Sequence, residues 1–87
     1  MKYRSRTDIV SSVLTTANGG AQKTKIMYKA YLSYAQLTEY LSMLVENGLL
    51  SYSPAERLFT TTEKGMEFLK AYEHMAEISS VTSKVIV

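Results

Sequence analysis

Residues 33–65 read SYAQLTEYLSMLVENGLLSYSPAERLFTTTEKG, and the breaks in that run set the order of elements. Ser33 followed three residues later by Gln36 has the spacing of a capping box, in which the hydroxyl accepts from a backbone N–H and the amide reaches back. A helix opens there. Leu37, Leu41, Leu44 and Val45 form its apolar stripe, and Gly48 stands where a left-handed C-terminal cap is needed. Beyond Gly48 the pattern becomes extended: residues 49–53 and 58–61 are short runs rich in aromatic, Leu and Thr residues, parted by Pro54-Ala55-Glu56-Arg57. That is the pattern of a β-hairpin whose strands are too short to stand alone. Thr62 then supplies an N-cap, and a further helix is predicted from residue 63 through His74 to about residue 80, roughly 26 Å long.

On the N-terminal side, Ile9, Val10, Val13, Leu14 and Ala17 recur at three and four residues, which predicts a helix over 7–17. Ser5 with Asp8 has capping-box spacing, and Asn18-Gly19-Gly20 ends the helix. A short helix follows over 23–30, with Ile26, Met27 and Ala30 inward, Lys23, Lys25 and Lys29 at its start and outer side, and Tyr31-Leu32 as a tight joint to Ser33. At the other end, residues 79–87 mix Ser and Thr with Val81, Val85, Ile86 and Val87 without a helical period, the pattern of a frayed tail or an added strand. The expected organisation is one domain over 1–80, its last helix at 63–80, and a flexible tail at 81–87.

The chain has 87 residues, 46% of them hydrophobic and 21% charged, with no cysteine. That length holds one small core, which association with a second copy would help. Without cysteine there is no disulfide framework or thiolate metal site, and no apolar run approaches a membrane span or a signal peptide. A cytoplasmic location is the resulting expectation. The net charge of +2 conceals segregation: residues 1–32 carry Lys2, Arg4, Arg6, Lys23, Lys25 and Lys29 against Asp8, whereas residues 33–87 carry Arg57, Lys64, Lys70 and Lys84 against seven glutamates. A basic first third suits a polyanionic partner; the alternative is a solvated surface whose signs happen to segregate.

The expected fold is mainly α with a small β-hairpin (α+β), in the order helix, helix, helix, strand, strand, helix. That is the order of a winged helix-turn-helix, with the hairpin and last helix closing a core that three helices cannot enclose. Asn18-Gly19-Gly20-Ala21, Thr24-Lys25-Ile26-Met27-Tyr28-Lys29-Ala30, Leu32-Ser33-Tyr34-Ala35-Gln36-Leu37, Tyr40-Leu41, Asn47-Gly48-Leu49-Leu50 and Thr61-Thr62-Glu63-Lys64-Gly65 occur in order. On those blocks, over roughly residues 5–76, the chain resembles the archaeal winged-helix family that includes the ten-kilodalton Sulfolobus chromatin proteins, with a likeness to ArnR-like and PadR-like winged-helix regulators. The resemblance implies a nucleoid-associated DNA-binding domain, dimeric through its C-terminal helix, that acts in transcription regulation or as a chromatin protein. The family's best-known members carry a longer C-terminal helix paired as an antiparallel coiled coil, whereas the helical pattern here fades near Ser79.

Independently of that likeness, the second helix of a helix-turn-helix lies in the major groove and offers its N-terminal residues to base edges. With Leu37, Leu41 and Leu44 inward, 100° steps turn Ala35, Thr38, Glu39, Ser42 and Glu46 outward. The candidate double-stranded-DNA contacts are Lys23, Thr24, Lys25, Lys29, Ser33, Tyr34, Gln36, Thr38 and Arg57, with the helix over 33–47 as reader and the hairpin over 49–61 as wing. Gln36 either pairs bidentately with adenine or only completes the cap. Tyr34 can reach a phosphate or a thymine methyl, and Thr38 and Ser42 bond less selectively. The lysines, Arg57, and Arg4 and Arg6 on the N-terminal arm position without reading, or are ordinary solvated residues. Lys23 and Lys25 point to different sides. Glu39 and Glu46 are repelled by phosphates, and Glu56 beside Arg57 makes a weak wing.

Tyr28, Tyr40 and Tyr52, three of seven tyrosines, are read as boundary residues that bury the ring and wet the hydroxyl. On the last helix Met66 and Leu69 continue one stripe, while Phe68, Tyr72 and Met75 form another. Two stripes suggest that the second meets a partner copy, giving a homodimer; the alternative is one wide face packed inside the monomer. Gly65 calls for close approach of another backbone. His74 and Asp8 are each single in type, so no catalytic triad or metal cluster can be assembled, and no enzyme activity, cofactor or small-molecule ligand is expected. Gly20-Ala21-Gln22-Lys23-Thr24 superficially resembles the end of a phosphate-binding loop but lacks its glycine before lysine and its preceding strand. A second functional expectation is a winged helix that binds protein, its Glu39 and Glu46 docking a basic partner while the lysines stay solvated.

Overall fold

A computed structural model describes the backbone of residues 4–86 and the side chains of residues 4–78. The elements are α1 (Arg6–Thr16), α2 (Lys23–Lys29), α3 (Tyr34–Glu46), β1 (Leu50–Ser53), β2 (Leu58–Thr61) and α4 (Glu63–Ile86). Local chemistry sets most of their limits. Ser5 and Asp8 form the capping box of α1, with both bonds at 3.0 Å, and Ser33 and Gln36 form that of α3, at 3.2 and 3.1 Å. Each box satisfies two backbone donors that the first turn leaves open. At the end of α3, Gly48 takes φ +76, and the Leu49 N–H reaches the Leu44 carbonyl at 2.9 Å while the Gly48 N–H reaches Val45. This left-handed cap turns the chain sharply into β1.

β1 and β2 pair antiparallel in the register Leu50↔Thr61, Ser51↔Thr60, Tyr52↔Phe59 and Ser53↔Leu58. Alternation then sends Leu50, Phe59 and Thr61 to the core side. Among the described residues Thr61 is the buried polar one, and its hydroxyl is satisfied by the Leu14 carbonyl at 2.6 Å. Val13, Leu14, Ala17, Ile26, Ala30, Leu37 and Leu44 have no exposed surface and join α1, α2 and α3 in one core, which Leu69 of α4 closes.

Gly65 lies where α4 crosses the end of the hairpin. A Cβ there would abut the Leu49 carbonyl oxygen and stand 2.6 Å from Thr61 Cγ2, so the close approach expected from sequence is present. The Thr62 hydroxyl accepts from the Gly65 N–H at 3.1 Å and donates to the Gly48 carbonyl at 2.6 Å, while Lys64 Nζ donates to the Asn47 carbonyl at 2.8 Å. The start of α4 thereby satisfies open carbonyls at the end of α3.

Three expectations change. Tyr40 is buried in place of Val45, which is 39% exposed. At 100° per residue Tyr40 lies about 60° from Leu37 and Val45 about 80° on the other side, so the α1 side of the stripe wins. Tyr28 is 69% exposed and does not bury its ring, because it stands about 200° around α2 from buried Ile26. Finally, α4 runs to Ile86, past residue 80, where the tail was expected. β-branched residues cost only a few tenths of a kcal/mol each in a helix, and extending an existing helix avoids the nucleation cost.

Candidate nucleic-acid interface

The residues around the start of α2 are brought to the hairpin by a pairing outside the named strands. Ala21 and Phe59 exchange backbone hydrogen bonds, both 2.9 Å, which adds residue 21 to the outer edge of β2. Gly19 at φ +87 and Gly20 at φ +104 make the turn that allows it, conformations that an L side chain resists. Gln22, Lys23 and Thr24 consequently stand beside Tyr52, Arg57 and Phe59 around a groove of about 520 Å3. An adjoining groove of about 550 Å3 is bounded by Lys23, Tyr52 and Phe59 on one side, and by Thr38, Leu41, Ser42, Val45 and Glu46 of α3 on the other. The Tyr52 and Phe59 rings, with centroids 4.5 Å apart, are common to both.

The tertiary fold therefore collects Lys23, Thr24, Thr38 and Arg57 on one concave face and adds Ser42 and Tyr52. Arg57 holds φ +56 at the hairpin turn, which exposes its side chain at the rim. Tyr34 is 64% exposed at the first turn of α3, and Lys23 Nζ lies 5.3 Å from its ring centroid. That cation–π contact joins Tyr34 to the same face. Lys25 and Lys29 are exposed but line neither groove. They lie on α2 about 160° and 120° away from Lys23.

Ser33 and Gln36 are committed to the cap. The Gln36 Oε1 accepts from the Ser33 N–H with one lone pair, leaving its second lone pair and the amide NH2 free, so bidentate pairing with adenine has to be made with the side chain held in the cap geometry. The Thr38 hydroxyl donates to the Tyr34 carbonyl at 3.0 Å and keeps its lone pairs toward solvent. The N-terminal arginines are also occupied. Arg4 donates to the Ala30 and Tyr31 carbonyls, capping the end of α2, and the Arg6 guanidinium sits 5.5 Å from the Tyr40 ring centroid. The positive charge of Arg4 stabilises that helix end.

Along α4, Phe68 packs against the core and Tyr72 donates a 2.6 Å bond to Asp8. The Tyr72 hydroxyl, followed by the Ser5 donors, holds the Asp8 carboxyl below its ordinary range; the same bond, with desolvation, pushes the Tyr72 phenol up. Met75 is 67% exposed, and Ile78 beyond it is exposed as well. Among the described residues no group of three or more His, Cys, Asp or Glu gathers to hold a metal ion. No described helix is long and apolar enough to cross a membrane.

Sequence reading missed the Ala21–Phe59 bridge and the place of Tyr52 on the face. The signal for the first was available in the paired glycines, which free the following residue to run extended. For Tyr52 the hairpin register sets it across from Phe59, but which side of the pair meets α3 depends on the twist of the whole domain.

No curated protein matches the chain by sequence. Among solved structures, that of Sso10a-2, a DNA-binding protein from Sulfolobus solfataricus, superimposes with a TM-score of 0.84 over 94% of this chain and 88% of that chain, at 23% identity. At that identity the likeness is one of fold. A family model described as winged helix-turn-helix matches residues 3–80, the span of α1, α2, α3, the hairpin and most of α4. By that match, the chain belongs to the winged helix-turn-helix family.

Proposed function

We propose that the protein binds double-stranded DNA, with the outward side of α3 in the major groove and the hairpin as a wing on the adjacent backbone. The observation that carries this reading is the pair of adjoining grooves, in which Lys23 is shared between one lined by Thr24 and Arg57 and one lined by the polar side chains Thr38 and Ser42 of an exposed helix. Cations at the rim position the backbone while neutral hydroxyls face base edges. The DNA-binding name of the structurally similar Sulfolobus protein supports it. The role is that of a nucleoid-associated regulator, as the ArnR-like and PadR-like resemblance implies, or of a chromatin component. Homodimerisation through α4 belongs to the same reading: Met75 and Ile78 are apolar and exposed on a helix of 24 residues, about 36 Å.

Fluorescence titration of a labelled duplex at rising salt is the test. With Lys23 and Arg57 as the principal phosphate contacts, log K falls with log salt at a slope near −2, about tenfold weaker binding between 50 and 200 mM. Absent or salt-insensitive binding rejects the reading. Glu46 in the α3 groove and exposed Glu39 favour a second one, capture of a basic protein partner without DNA. Charge reversal at both glutamates separates them, since it strengthens non-specific duplex binding in the first case and abolishes partner capture in the second.

A further inference from the structure

Cations are scarce where the DNA backbone would run. Lys23 and Arg57 line the grooves, Glu46 opposes them, and Arg4 and Arg6 are turned to internal partners. Yet the helix-turn-helix joint presents two large rings to solvent immediately before and at the start of α3: Tyr31, 83% exposed, and Tyr34. Tyr31 holds φ +54, a left-handed conformation that costs a non-glycine residue free energy and that glycine or asparagine would adopt more easily. Arg4 donates to its carbonyl, which holds the backbone of the joint in place. Tyr34 is oriented by Lys23 over its face. No acidic residue occurs between Asp8 and Glu39 in the sequence, so the joint brings no carboxylate of its own, and Lys23 is the lysine of α2 that contacts the Tyr34 ring.

Resting on the DNA-binding reading above, we infer that Tyr31 and Tyr34 hold the DNA backbone beside the entering end of α3, each phenol O–H donating to a phosphate oxygen. The two hydroxyls supply neutral contacts where the interface lacks positive charge. Such contacts displace no condensed counterion, so they add affinity without adding salt dependence. Tyr28 serves as the comparison, since it is an exposed tyrosine that lies about 140° around α2 from Lys23.

Tyr31→Phe, Tyr34→Phe and Tyr28→Phe remove one exposed hydroxyl each and keep the ring. A random-sequence duplex, titrated with each full-length variant at four salt concentrations, is the experiment. Tyr31→Phe and Tyr34→Phe each bind about two- to tenfold more weakly at every salt concentration with the slope of the parent protein, and Tyr28→Phe binds as the parent does. Parent-like binding by both of the first two variants overturns the inference and leaves DNA binding standing. So does weaker binding only in the Tyr→Ala versions, which would assign the effect to the rings. A parent protein with no duplex affinity overturns both readings together.

Discussion

The Tyr72 hydroxyl donates a 2.6 Å hydrogen bond to Oδ1 of Asp8, joining α4 to the first turn of α1, where Asp8 also accepts from the Ser5 N–H. One carboxylate thus caps a helix and anchors the C-terminal helix to it. Asp8 titrates below its ordinary value in the folded chain, so its contribution is present above that value and is lost as pH falls through the depressed one. Tyr72 titrates above its ordinary value, so its contribution is complete below the unfolded phenol's pKa and fades as pH rises through the elevated one. Thermal melts from pH 2 to 11 therefore show lower stability at both extremes. Tyr72→Phe flattens the alkaline limb and weakens the acid one; an unchanged profile removes the bond from the account.

Gly65→Ala places a methyl group against the Leu49 carbonyl and Thr61 Cγ2. Alanine gains about 1 kcal/mol of helix propensity, but overpacking against backbone costs about 1–3 kcal/mol and more where nothing can move. A lower denaturation midpoint is expected. An equal or higher midpoint shows that α4 can slide away from the hairpin.

The cap and the reading role of Gln36 can be separated. Gln36→Glu keeps an oxygen for the Ser33 N–H but loses the amide donors, whereas Gln36→Ala loses both. Stability is retained in the first and falls by up to about 1 kcal/mol in the second. If the free amide faces a base, Gln36→Glu discriminates less between duplex sequences at full stability; unchanged discrimination makes Gln36 a capping residue alone.

Lys23 and Lys25 are two residues apart and face different surroundings, with only Lys23 lining the grooves. Lys23→Ala is expected to lower the salt slope of duplex binding by about 0.9, and Lys25→Ala by much less. Equal effects would place the duplex across the outer side of α2.

Ile78→Glu inserts charge into the exposed apolar stretch of α4, outside the pocket that Asp8 and Tyr72 line. Sedimentation is expected to report a shift from dimer to monomer with the melting temperature at high dilution unchanged. A parent protein that sediments as a monomer at tens of micromolar ends the pairing proposal.

Much of the fold was legible because it is written in short-range chemistry. Ser5 with Asp8, Ser33 with Gln36, and Gly48 each act within a few residues, and the structure has all three doing what their spacing implies. The candidate site was harder. Lys23, Thr24, Thr38 and Arg57 are spread over more than thirty positions and meet only because Ala21 pairs with Phe59 and α3 packs beside the hairpin. Arg4 and Arg6 look like a free basic arm in sequence, yet carbonyls exposed at the end of α2 and the face of Tyr40 engage them. α4 continues through residues 81–86 although the sequence there shows no helical period.

By itself, the sequence determined the number, order and starts of the elements, since caps, glycine turns and a 3.6-residue apolar period depend on neighbours along the chain. Tertiary structure alone decided which polar residues share a surface, that Tyr40 is buried ahead of Val45, and which arginines find partners on the domain itself. Those outcomes depend on partners far away in the chain, whose positions follow from packing one core and from no local pattern.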